Sequence, residues 1–157
     1  SDFARETADC FYSHEIHAVK DALQGAYTFM EKYPQVPESE YLLKEMLHIL
    51  RSGKQPGLVL TIILLHNLLY TKNPVFTEDK IREADRLLIS LEKKTKYEQN
   101  MESEKQIKEA ALIRRVCADL VFEISQQEGG EDYPSVTHWK EACGENEFTD
   151  VRNELLF

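Results

Sequence analysis

The chain has 157 residues, with 19 basic and 28 acidic side chains, a formal charge of −9 and 42% apolar content. That length suits one domain, and the composition excludes a collagen, a disordered chain and a disulfide scaffold. Cys10, Cys117 and Cys143 are odd in number and widely spaced, so reduced thiols and an intracellular location, cytoplasmic or nuclear, are expected.

Residues 2–33 read as one helix, with any break expected near Gly25. Ala8, Tyr12, Ile16, Val19, Leu23, Ala26 and Met30 recur at spacings of three and four, which puts them on one face. Pro34 and Pro37 stop that helix. The next spans residues 38–52, with Glu38 and Glu40 in the first turn and Gly53 as C-cap. The segment 58–70 is the most apolar. It is too short to cross a bilayer, and it lacks a second strand to pair with, so a central helix is the better reading.

Thr77 is placed to start a helix that runs to residue 95 through Ile81, Ala84, Leu87, Leu88 and Leu91. Asn100 or Ser103 caps the next, and Ser103 with Gln106 matches a capping box. That helix extends to about residue 127. Gly129-Gly130 marks a linker, after which residues 137–143 form a short helix ended by Gly144. Phe148, Val151 and Leu155 follow helical spacing near the end of the chain.

The expected fold is therefore all-α. It has five main helices plus a small C-terminal helical element, as an antiparallel bundle or a short helical-repeat fragment. Residues 1–128 form the helical body. Residues 129–157 are a Gly/acidic linker and helical tail, expected to dock on the body within a single domain. The acidity is concentrated late: from Asp119 onward there are ten acidic residues and two basic ones, whereas the preceding 118 residues carry 18 and 17. Because the chain begins at Ser1, it reads as a piece cut from a larger protein.

Most chemistries fail on their residues. Cys10, His14, His17 and Asp21 share a helical face, but no second ligand pair joins them. Glu45 and His48 match a di-iron Glu-x-x-His, yet no second such motif occurs. His138 and Cys143 lie five apart, off a common helical face, and no oxyanion hole accompanies them. Gly53-Lys54 resembles the end of a phosphate loop without its glycine or its Ser/Thr. No catalytic residues, no metal site and no cofactor are assigned, and the chain reads as a non-enzyme.

Three surfaces remain. Trp139, Phe148, Val151, Leu155 and Leu156 are the candidate partner-binding residues, because Trp and large apolar groups anchor interfaces. His66 and Asn67 interrupt the most apolar helix and form a candidate buried polar or ligand site. Lys93, Lys94, Lys96, Arg114 and Arg115 form a candidate basic surface. The leading expectation is a protein-interaction scaffold or adaptor that binds a peptide, a helix or a second copy of itself. The rivals are a small-ligand binder or enzyme with a pocket at His66 and Asn67, and a nucleic-acid adaptor. No membrane partner is expected.

Overall fold

A computed structural model describes residues 2–53, 56–96 and 103–143. Among them the regular structure is entirely helical: α1 (Asp2–Cys10), α2 (Ile16–Lys32), α3 (Pro37–Ser52), α4 (Leu58–Tyr70), α5 (Glu78–Lys96), α6 (Glu104–Ser125) and α7 (Pro134–Cys143), with a 3₁₀ turn at Gly130–Asp132 before the last. No described helix is long and apolar enough to cross a membrane. The chain divides into two compact units, Ser1–Lys80 and Ile81–Phe157. The Gly129 linker expected from sequence falls inside the second.

In the first unit the expected 2–33 helix is two helices, and the break lies at residues 11–15 rather than at Gly25. The amides of Phe11, Tyr12 and Ser13 bond three residues back, which tightens and ends α1. The Ser13 hydroxyl then accepts the Glu15 amide at 3.0 Å. Glu15 caps α2 by accepting the His17 amide at 3.0 Å. Polar side chains thus offer the backbone an alternative to helix continuation. The apolar spacing hides the break because it runs across it, yet Tyr12 and Ile16 are both exposed. Gly25 lies inside α2 in open surroundings.

α3 begins at Pro37, one residue earlier than expected, because proline's fixed φ suits the first helical position. The Ser39 hydroxyl donates to the Tyr33 carbonyl at 2.6 Å, tying the end of α2 to the start of α3. Gly53 ends α3 in the left-handed region, φ 66°. α1 packs on α2 and α3, and α4 packs on both α2 and α3. Leu23, Met30, Leu43, Met46, Leu47, Leu58, Ile62 and Leu65 are fully buried there. The approach is close at Gly57, where a Cβ would stand 3.1 Å from Val19. After α4, the Asn73 side chain donates to the Met30 carbonyl at 3.1 Å and accepts the Val75 amide at 2.9 Å. This pins the segment that follows against α2.

In the second unit Ser103 caps α6 by accepting the Gln106 amide at 3.2 Å. The turn at Gly130–Asp132 packs on both α6 and α7. α7 starts at Pro134, about a turn earlier than expected. The apolar core includes Leu88, Leu91, Leu120, Val121, Ile124, Val136 and Trp139.

Candidate functional site

Two constellations stand out, one in each unit. The first is a groove on α3. Its buried side carries Leu42, Leu43, Met46 and Leu47, which fixes the helix rigidly. Glu38, Tyr41, Glu45 and His48, at spacings of three and four, share the other side. Two open clefts meet at Pro37 and Tyr41. One, of about 470 Å³, is lined also by Glu40, Lys44, Val75, Thr77, Asp79 and Lys80. The other, of about 220 Å³, adds Ala4 and Arg5 of α1 and Glu38. Tyr41 therefore stands between the clefts, 38% exposed. Farther along, Tyr12 meets His48 edge-on, with ring centroids 6.2 Å apart. Partial burial, then the nearby Glu45 and Tyr41, raise the Tyr12 phenol above its ordinary range. Tyr12, Tyr41 and Glu45 thus form one electrostatic neighbourhood.

The second constellation is a polar seam between α5 and its neighbours. Asp85, Leu88, Glu92 and Thr95 recur at spacings of three and four along α5. Asp85, buried, accepts the Ser135 amide at 2.9 Å and so caps the start of α7 from another helix. The Leu88 carbonyl accepts the Trp139 indole N–H at 3.1 Å. Glu92, only 2% exposed, takes His138 Nε2 on one oxygen at 2.6 Å and Arg114 Nη1 on the other at 3.2 Å. Arg114 also donates to the Glu92 carbonyl and to the Thr95 hydroxyl. Its guanidinium lies 5.3 Å over the Trp139 ring.

Burial pushes the Glu92 carboxyl up, but the hydrogen bonds from His138 and Arg114 outweigh it and hold the group below its ordinary range. Glu92 is therefore an acceptor only, and His138 Nε2 carries the hydrogen between them. The same carboxylate is shared with Arg114. Burial pushes the Cys117 thiol up, keeping it protonated. Cys143 faces Arg114 Nη2 at 3.8 Å. Among the described residues no group of three or more His, Cys, Asp or Glu could hold a metal ion. The contacts of the seam tie α5 to α6 and α7.

The residues singled out from sequence are scattered. Trp139, expected on a partner-facing surface, is fully buried, because its indole N–H finds a carbonyl inside the unit. Phe148, Val151, Leu155 and Leu156 lie outside the described residues. His66 and Asn67, expected in the core, are half-buried: α4 turns its leucines inward and leaves these two at its margin. They bond each other at 3.3 Å, and His66 stacks on Tyr70 one turn on. The basic surface loses one member. Lys93, Lys94, Lys96 and Arg115 are exposed, but Arg114 turns inward to Glu92, where its charge is met.

Sequence reasoning placed Tyr12 only on an apolar helix face, and it did not single out Asp85 or Glu92. A signal existed for the last two: they are carboxylates set inside the apolar stripe of α5 that runs through Ala84, Leu88, Leu91 and Thr95. Comparison with known proteins finds no matching family model, and no curated protein or solved structure of significant similarity.

Proposed function

We propose that the chain is a non-catalytic helical interaction module, and that the groove around Tyr41 receives a short segment of a partner protein. The observation that carries this reading is the meeting of two clefts at an exposed tyrosine on a rigidly packed helix. An aromatic anchor on a fixed helix offers contact area at low conformational cost. The lining mixes apolar Pro37, Val75 and Ala4 with charges of both signs, as suits a peptide with apolar and polar positions. Reduced cysteines fit an intracellular partner. The short connections favour a bundle of successively antiparallel helices as the scaffold behind the groove.

The test is selection of short random peptides, displayed on phage, against the whole chain. Peptides are expected that bind the native protein and lose at least about tenfold in affinity to Tyr41→Ala. The circular dichroism of that variant should match the native chain. Failure to enrich any peptide, or equal binding to the native and Tyr41→Ala proteins, refutes the reading. Light scattering of the free chain separates a peptide partner from a second copy occupying the same groove.

A further inference from the structure

We infer that residues 148–157, the chain's own C-terminal segment, dock on the exposed start of α6, along the side that carries Ile107 and Ala111. α7 sets the course of the chain toward that place. Its start meets α5 at Asp85, its middle meets Leu88 and Glu92, and at its end Cys143 faces Arg114 of α6. α7 thus advances in the same direction as α5, and the chain leaves it past Arg114, heading for the beginning of α6. The surface in that path is open: every side chain from Ser103 to Glu109 is exposed, and so is Ala111. Helices in folded proteins draw most of their stability from an apolar face packed on a neighbour, and among the described residues the first turns of α6 have none. Ile107, 39% exposed, lies seven residues before Arg114, which is two turns along the same face. That is about 10 Å along the helix axis.

The length and chemistry of the remaining chain name the occupant. Residues 144–157 follow Cys143. A stretch of that length spans about 20 Å if helical and about 45 Å if extended, so either form reaches Ile107. Phe148, Val151 and Leu155 recur at spacings of three and four, one apolar side for the strip on α6. Charge agrees with this course. The segment carries Glu145, Glu147, Asp150 and Glu154 against Arg152. The last turn of α5 carries Lys93, Lys94 and Lys96, and Lys96 stands one turn beyond Glu92, on the side that α7 follows. The other side of α6 is a poorer seat. Leu112 shares a shallow cleft there with Glu104, Lys105, Lys108 and Glu109, and two residues from Arg114 it faces the opposite way.

The test is hydrogen–deuterium exchange of the whole chain, read by mass spectrometry over residues 107–111. These amides should be protected in the native chain. In the triple variant Phe148→Ser, Val151→Ser, Leu155→Ser they should exchange at least about tenfold faster, with α4 unchanged. In turn, Ile107→Ser should speed cleavage within residues 148–157 by a nonspecific protease, whereas Leu112→Ser should not. Equal exchange in the native chain and the triple variant overturns the inference, and so does equal cleavage of the native chain and Ile107→Ser. Protection that disappears on dilution, with light scattering showing a dimer at the higher concentration, overturns it in favour of the segment of a second copy. Ile107 and Leu112 are both exposed, so their variants should fold, which circular dichroism checks. If the triple variant unfolds, the contrast between Ile107→Ser and Leu112→Ser decides alone.

Discussion

The two units use their charges in opposite ways. In the first, helices α1 to α4 close over leucines and methionines, and the joints are made by backbone caps: Ser39 on Tyr33, Asn73 on Met30, Gly53 at the end of α3. The carboxylates of α3 are left on the surface. In the second, α5 buries Asp85 and Glu92 and uses them to fasten α7 and Arg114. The buried carboxylates of α5 are taken up by contacts within their own unit, whereas those of α3 stay partly open to the partner proposed above.

The sharpest way to break this comparison is to cut one side chain from each core. Leu65 is fully buried in the first unit, and Leu65→Ala should cost about 3 kcal/mol through lost burial and a residual cavity. Glu92→Ala should cost about 2–3 kcal/mol by leaving Arg114 and His138 without their shared anion. That is below the range for a wholly buried pair, because both partners of Glu92 keep some contact with water. Urea titration followed by circular dichroism measures both. Trp139 is the one tryptophan of the sequence and lies in the second unit, so its fluorescence reads the Glu92 variant locally. If Glu92→Ala shifts that fluorescence transition by less than about 0.5 kcal/mol, the seam is decoration and the contrast between the units fails.

The next effect is set by pH. In the unfolded chain Glu92 titrates near the ordinary value of about 4.3; in the fold it titrates lower. A depressed folded value means the seam's stabilisation is complete above the unfolded value and is lost as pH falls through the folded one. The Trp139 transition should therefore weaken steeply on acidification in the native chain. In Glu92→Gln it should start weaker and lose this component of the slope. Parallel pH profiles for the two proteins would show that Glu92 is not the group that links the second unit to acid.

What the sequence disclosed follows the reach of each interaction. The start and stop of α3 were legible in Pro37 and Gly53, and the cap of α6 in Ser103, because a cap involves residues within one turn. α4 was legible from its composition. The partners of Glu92 lie 22 and 46 residues away, and that of Asp85 lies 50 away, so nothing local announced them. Arg114 is grouped by sequence with its neighbour Arg115 on a basic surface, but one residue of rotation on a helix turns a side chain from solvent to seam. His138 was weighed as a partner for Cys143 when its partner was Glu92 on another helix. The groove was missed for a related reason. Nothing near Tyr41 in sequence announces its surroundings, and only folding brings α1 and residues 75–80 beside it.

A smaller effect separates a single seam contact from the network. Asp85→Ala removes the cap from α7 and should cost about 1–2 kcal/mol in the Trp139 transition. Asp85→Asn should recover part of that, because an amide oxygen still accepts the Ser135 amide. If Asn is no better than Ala, the contact works through the carboxylate's charge near the helix terminus and not through the hydrogen bond.

The smallest effect has the opposite sign and tests the first unit's backbone. Gly25 sits inside α2, exposed, with no heavy atom within 4 Å of where a Cβ would stand. Glycine there gives the unfolded chain freedom that the helix must remove, so Gly25→Ala should stabilise the protein by about 0.5–1 kcal/mol. A break at Gly25, the position first suggested by the sequence, would reverse the sign wherever it placed that residue at positive φ. Urea titration of this one variant therefore decides between a continuous α2 that starts at the Glu15 cap and a long first helix broken in its middle. The groove depends on the answer, since the turn at residues 11–15 is what brings Tyr12 to His48.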